Sequence, residues 1–326
     1  MSRRRTVVAF GGNALWTSKG HGTVDEQRKR AEAAAEWLAG LVRAGHEVAI
    51  VHGNGPQVGQ VLIQMEEGAT KVPPGTLDAA VAQTQGSIGY LLELSLRNRL
   101  ARDGMNDREV ATVLSLVVVD GDDPGFEEPS KPIGPFFSAY RAEQLRRHQN
   151  WVMKEDSGRG WRKVVASPRP LEILGVGTLE RFLTDGYVVI AGGGGGVPVV
   201  RENGRLRGVE AVIDKDFTAS LLARALGADL LLNLTGVSEV KKNYGRPDER
   251  PLSELTAEEA RELLDQGQFP AGSMGPKIRS TLDFVEATGH TALITDIDTL
   301  PAALEGEGGT RIVCKPTVRT VQEPAT

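Results

Sequence analysis

The chain has 326 residues, 40% of them hydrophobic, enough to bury the core of one large domain or two lobes of ordinary size. Its 38 basic and 43 acidic residues give a formal net charge of -5, with no long stripe of Lys and Arg; nucleic acid is an unexpected partner, and small anions must be held locally. Cys314 is the only cysteine, so no intrachain disulfide forms and a cytoplasmic location is expected, while the apolar run after the basic start is one strand long, short of the ~18 residues of a membrane span.

In chain order, β-rich apolar runs begin at Thr6 (TVVAF), Glu47 (EVAIV), Val110 (VATVLSLVVV), Tyr187 (YVVIA), Asp229 (DLLLNL), Thr291 (TALIT) and Thr310 (TRIV). Such continuous runs predict strands covered on both faces. Between them, Ala31, Ala34, Ala35, Leu38, Leu41 and Val42 mark one face of a helix ending at Gly45, and Phe217, Leu221, Leu222 and Ala225 mark another before Gly227. Alternation of strand and helix gives an α/β class. From about Gly121 to Lys163 the rhythm breaks into an irregular insertion, which predicts a protruding lid. After Thr317 a frayed tail is expected.

Glycine clusters follow three of the strands: GGNAL from Gly11, HGNGPQVG from His52, and the five glycines of AGGGGGVPVV from Ala191. At the carboxyl end of a strand, such a turn can present backbone N–H groups to an anion. Each alone is better read as a tight loop that satisfies its own backbone; three together favour a phosphate or carboxylate cradle. Neither a Walker A loop nor a dinucleotide fingerprint is present, so any lysine for phosphate must come from elsewhere. Lys131 in SKPIG, Lys215 in VIDKDFTAS and Lys277 in GSMGPK are the candidates. Their plainer readings are a surface charge, a capped helix N-terminus flanked by Asp214 and Asp216, and a solvated first-turn lysine behind Pro276.

Taken together, GGNAL, HGNGPQVG, QTQGSIGY, SKPIGPF, AGGGGGVPV, GVEAVIDKDF, GSMGPK and GTRI, spread over residues 6 to 313, resemble carbamate kinase within the amino acid kinase family. The resemblance implies a three-layer αβα sandwich with a mainly parallel central sheet and two lobes. Residues 1–208 are implied to bind carbamate or carbamoyl phosphate, with a protruding lid subdomain at about 121–163; residues 209–316 to bind the nucleotide; and residues 317–326 to form a flexible tail. Gly11, Gly12, Asn13, Gly53, Asn54 and Gly55 become the substrate cradle. Lys131 becomes a lid lysine, Lys215 and Lys277 the cations on the phosphates, and Asp216 the acceptor that holds those amines. Gly193, Gly194, Asp214, Thr235, Ser273, Met274 and Gly275 are assigned to the nucleotide side. ATP or ADP is the implied co-substrate, with Mg2+ carried on it, and a homodimer is implied.

Carbamate is already an anion and needs no general base to attack a γ-phosphate, so alignment and charge neutralisation are what remain. None of the five histidines is then required, and His52 is read as a packing or hydrogen-bonding residue. No spacing of His, Cys, Asp and Glu demands zinc. The sequence departs from the family pattern at Thr235-Gly236, where Thr-Asp is usual, at VVASPRP from Val164, and in a glycine run one residue longer. Two alternatives stand beside carbamate kinase: another small-acid kinase of this fold, and a catalytically weak nucleotide-binding regulator.

Overall fold

Residues 4–11, 22–156, 158–270, 272 and 274–315 are described in a computed structural model of the chain. Strand β1 (Arg5–Phe10) shows how the sequence builds its layers. Its side chains alternate: Val7 and Ala9 enter one core, Val8 and Phe10 the other. Strand β2 (Glu47–His52) does the same, with Ala49 and Val51 on the first side and Val48 and Ile50 on the second. Both faces of the sheet are therefore covered, which is why these strands read as unbroken apolar runs.

The central sheet has eight strands in the order β15 (Glu254–Thr256), β17 (Thr310–Val313), β16 (Thr291–Thr295), β12 (Leu230–Leu234), β1, β2, β9 (Val188–Ile190) and β3 (Val110–Thr112). All neighbouring pairs are parallel except β16 with β17. Helices α1 (Val24–Arg43), α3 (Leu77–Arg102) and α9 (Leu300–Glu305) cover one face. The other carries α5 (Val176–Thr184), α6 (Lys215–Ala225), α7 (Ala257–Asp265) and α8 (Met274–Thr288). This is the three-layer αβα sandwich, and the sheet runs without a break from strands of the first half to strands of the second.

Local signals explain the helix ends. Thr23 caps α1 in a reciprocal box with Glu26, and Gly45, at φ +85°, ends the turn that follows it. Helix α8 starts at Met274, two residues before Pro276, buries Ile278, Leu282 and Val285, and is followed by Gly289 at φ +72°. Helix α6 differs from the sequence expectation. Its buried stripe is Thr218, Ala219, Leu222 and Ala223, whereas Phe217 and Leu221 are half-buried and Ala225 is exposed. Small residues let α6 pack closely on α8, so the larger apolar side chains sit at its edge.

Two further expectations are corrected. The run VATVLSLVVV is two strands: β3 joins the central sheet, while β4 (Leu116–Val119) lies in a second sheet ordered β11 (Arg205–Gly208), β10 (Val197–Glu202), β4, β8 (Pro170–Ile173). The chain changes sheet at Leu114 and Ser115, where Gln85 of α3 holds the backbone of Ser115 through both its amide oxygen and nitrogen. The insertion is not irregular either. Strands β5 (Lys131–Phe137), β7 (Trp161–Val165) and β6 (Met153–Glu155) form an antiparallel sheet beside α4 (Ala139–Gln149). Ala142, Leu145, Trp151 and Met153 give it a small core of its own. Helix α2 (Gly55–Gly68) joins it to the main body: a β-carbon on Gly59 would lie 2.1 Å from the Cα of Gly134, so the two backbones touch there. A short hairpin of β13 (Val240–Lys242) and β14 (Arg250–Leu252) completes the described strands.

Candidate active site

Strands β12, β1, β2 and β9 are consecutive and parallel, so their carboxyl ends lie along one edge of the sheet. Gly11 follows β1, Gly53 follows β2, the glycine run follows β9 and Thr235 follows β12. Gly11 and the other two glycine clusters thus meet on one edge, a place where ligands of open α/β sheets bind. Gly53 is tied to β1 by its N–H to the Phe10 carbonyl at 2.9 Å, and Asn54 donates its side-chain amide to Thr84 Oγ1 at 2.8 Å.

The five glycines from Gly192 to Gly196 are buried, and φ is positive at all of them except Gly193. An added β-carbon would lie 2.2 Å from His52 Nε2 at Gly193, 2.3 Å from Asn54 Nδ2 at Gly194, 2.2 Å from the Ile213 carbonyl oxygen at Gly195 and 2.1 Å from Val117 Cγ2 at Gly196. Protein therefore fills the space that side chains would take. Backbone conformation and close packing are by themselves enough to demand glycine at these positions. The N–H groups of Gly192, Gly195 and Gly196 are bonded within the protein, to Ser115 Oγ and to the carbonyls of Gly192 and Gly193. Those of Gly193 and Gly194 have no partner among the described residues.

The lysines converge where α6 begins. Asp214 caps the helix, with Oδ1 accepting the Asp216 N–H at 2.9 Å and Oδ2 accepting from Lys131 Nζ at 2.6 Å. Asp216 Oδ1 accepts from Lys215 Nζ at 2.5 Å, and Lys277 Nζ reaches both Asp216 oxygens, at 3.1 and 3.0 Å. Lys277 also lies 3.4 Å from Asn233 Oδ1 of β12. Lys131 comes from β5, Lys215 from α6 and Lys277 from α8, so three distant motifs meet at two carboxylates. The cluster carries an excess positive charge that an anion would balance.

Burial works against charge at Asp214, Lys215, Asp216 and Lys277, and the pairing overrides it at three of these four. The Asp216 carboxyl is desolvated, yet Lys215 and Lys277 hold it well below the usual carboxylate range; Lys131 does the same for Asp214. For Lys215, desolvation is outweighed by Asp216 and Asp214, and its affinity for the proton rises. Lys277 goes the other way: burial lowers it to about 8, with Lys215 adding to the effect against the pull of Asp216. His52 is likewise lowered by burial to about 4, so it is neutral near pH 7, with Nδ1 3.1 Å from the Gly53 carbonyl oxygen and Nε2 against Gly193. It is a packing residue here, as the sequence suggested.

Among the sequence candidates, Lys131, Asp214, Lys215, Asp216 and Lys277 form one network, and Gly53, Asn54, Gly55, Gly193 and Gly194 lie on the neighbouring sheet edge. Gly11 approaches the Leu234 carbonyl, and Thr235 donates its N–H to Thr295 at the end of β12. Met274 and Gly275 open α8, one turn before Lys277, and the Gly275 N–H bonds to Pro270. Gly12, Asn13 and Ser273 lie outside the described residues. Asn233 escaped the sequence reading, although a lone polar residue inside the apolar run DLLLNL was a usable signal. Its side-chain amide nitrogen is buried with no partner among the described residues. Arg162, buried in WRKVV, was also missed.

No helix among the described residues is long and apolar enough to cross a membrane. The amino acid kinase family model matches residues 4–296. A carbamate kinase of Pyrococcus horikoshii is 43% identical over 94% of this chain and 98% of its own length. Among solved structures, carbamate kinase from Giardia lamblia bound to citric acid superposes with a TM-score of 0.91 at 38% identity, covering 96% of this chain and 99% of that one. The same enzyme bound to AMP-PNP gives 0.86 at 41% identity, covering 96% and 99%. By sequence and fold, the chain belongs to the carbamate kinases of the amino acid kinase family.

Proposed function

We propose that the protein transfers a phosphoryl group reversibly between ATP and carbamate, running toward ATP from carbamoyl phosphate and ADP in the catabolic direction. One observation carries this reading: Lys131, Lys215 and Lys277 converge on Asp214 and Asp216 at the sheet edge where the glycine turns gather. In the forward step a carbamate oxygen attacks the γ-phosphorus, the bond to the β-phosphate oxygen breaks, and ADP departs with those electrons. No proton need be removed. The lysines offset charge on the transferred group, and the amides of Gly193 and Gly194 supply two further donors.

The division of labour follows the two halves of the chain. Residues 1–208, with Gly11, Gly12, Asn13, Gly53, Asn54 and Gly55, hold the carbamoyl end. Residues 209–316, with Thr235, Ser273, Met274 and Gly275, hold the nucleotide; binding of AMP-PNP by the Giardia relative supports a nucleotide co-substrate. Lys131 is a lid residue in this account, parked on Asp214 until a phosphate draws it away. Both carboxylates of the site are engaged by lysines, which fits Mg2+ held by phosphate oxygens and water instead of by the chain. When bound, the ion neutralises phosphate charge.

The enzyme works in the cytoplasm as a homodimer. Tyr90 and Leu94 stand one turn apart on the exposed side of α3, and the exposed Leu114 is brought beside that helix by the bonds of Gln85 to Ser115. This apolar face suits a second copy of the chain. Purified protein given carbamoyl phosphate and MgADP tests the reaction. ATP formation supports the reading, and nucleotide binding without turnover replaces it with a regulatory role.

A further inference from the structure

Strand β7 alternates in burial, and the two inward residues of WRKVV are Arg162 and Val164. A buried arginine at such a position needs a reason. Only 9% of Arg162 is exposed, and its guanidinium is held on two sides: Nε donates to the Gly134 carbonyl at 3.1 Å, and Nη1 donates to Asp156 Oδ2 at 3.2 Å. The Phe136 ring lies below it, with the guanidinium carbon 5.2 Å from the ring centre. The third nitrogen, Nη2, has no hydrogen-bond partner among the described residues. It faces the substrate cradle: a β-carbon on Gly55 would lie 3.9 Å from Nη2 and 3.4 Å from the Pro132 carbonyl oxygen, one residue from Lys131.

Gly55 opens α2, whose free N–H groups make its first turn the positive end of the helix dipole. A guanidinium brought to that end is disfavoured unless an anion lies between them. Asp156 offsets part of this, but it also pairs with Arg159. We infer that Arg162 is a further substrate-binding residue, whose Nη2 donates to an oxygen of the carbamate or carbamoyl phosphate lodged at Gly53–Gly55. Its fixed position also limits what fits there: a planar anion with an oxygen turned toward β7 gains a charge-assisted bond, and a neutral acceptor gains only a weaker one.

The inference rests on the carbamate kinase reading, and ATP formation by the unaltered enzyme tests that reading separately. Initial rates for Arg162→Ala and Arg162→Lys are measured with carbamoyl phosphate and MgADP varied in turn. The expected result is a KM for carbamoyl phosphate raised about ten- to a hundredfold, with the KM for MgADP within about twofold of the unaltered enzyme. Arg162→Lys, which keeps the charge and stem, recovers part of the loss, and added guanidinium rescues Arg162→Ala. An unchanged KM for carbamoyl phosphate, or an equal rise in both constants, overturns the assignment. Failure of both variants to fold, judged by MgADP binding and circular dichroism, overturns it too and leaves Arg162 as a purely structural clamp on Gly134.

Discussion

Lys131 and Asp214 stand 83 positions apart in the chain and meet at 2.6 Å, joining the first residue of β5 to the cap of α6. The pair links the inserted subdomain to the helix that carries Lys215. It is only partly exposed, with 24% of the Lys131 side chain and 17% of the Asp214 side chain in contact with solvent, so it is better shielded than an ordinary surface ion pair. On the function proposed above, a phosphate entering the site would compete with Asp214 for the same ammonium.

Replacing Lys131 by alanine should therefore lower kcat about a hundredfold or more, with little change in the KM for MgADP. Asp214→Asn keeps an oxygen for the helix cap but gives up the shielded ion pair, so its melting temperature should fall modestly while the helix stays capped. Rates and melting curves for both variants check this. A larger effect on nucleotide affinity than on kcat for Lys131→Ala would move that lysine away from the transferred group.

The pH dependence should follow Lys277. Burial lowers it to about 8, and only the ammonium form helps to neutralise the phosphates, so kcat/KM should fall as pH rises through about 8. His52 is lowered by burial to about 4 and should add no acidic limb between pH 5.5 and 7. Lys277→Ala should lower kcat/KM by orders of magnitude and remove the alkaline limb. A limb that persists unchanged in that variant belongs to another group.

Glycine 194 offers a test of packing. At φ +66°, with a β-carbon position 2.3 Å from Asn54 Nδ2, Gly194→Ala combines backbone strain with displacement of Asn54 from Thr84. Gly227 has a similar φ of +60° but open space around it. Gly227→Ala should cost about 1 kcal/mol of stability, and Gly194→Ala distinctly more, about 2–4 kcal/mol. Denaturant unfolding of the two proteins compares them directly, and equal losses would show that the contact with Asn54 is soft.

The Gly59–Gly134 contact should behave as a seat for the subdomain. Gly59→Ala forces two backbones apart and should reduce turnover through Lys131 while MgADP binding persists. Calorimetry with MgADP beside steady-state rates separates the two effects. Loss of both together would mean that the displacement spreads through α2 into the main sheet.

How much of this was legible in the sequence depends on whether local chemistry sets the feature. Strand β1 and helix α1 were, because alternation between two cores and a Thr23–Glu26 cap are written in neighbouring residues. The three lysines were found from their motifs, and the resemblance implied that Asp216 holds Lys215 and Lys277; the residues alone could not give that meeting, since Lys131, Lys215 and Lys277 come together only through the topology. VATVLSLVVV concealed a change of sheet because both of its parts are buried and β-branched, and the bond that turns the chain at Ser115 comes from Gln85, 30 residues earlier. The insertion read as irregular because its core is as small as Ala142, Leu145, Trp151 and Met153. The glycine run was legible as a tight turn after a strand, but its crowding was not, because what crowds it, His52, Asn54, Ile213 and Val117, is scattered over the chain.

Gly236 departs from the Thr-Asp pattern that the sequence resemblance leads one to expect, and an added β-carbon there would have nothing within 4 Å. Gly236→Asp should fold without loss of stability and should alter the KM for MgADP more than that for carbamoyl phosphate. Unaltered nucleotide kinetics would show that the missing carboxylate is irrelevant to this site.

The most direct measurement is a crystal structure of the protein with MgADP and carbamoyl phosphate, or an unreactive analogue of it. The predicted result is a single phosphoryl group within hydrogen-bonding reach of Nζ of Lys131, Lys215 and Lys277, with Lys131 released from Asp214. A phosphoryl group bound beyond the reach of Lys215 and Lys277 would contradict the account.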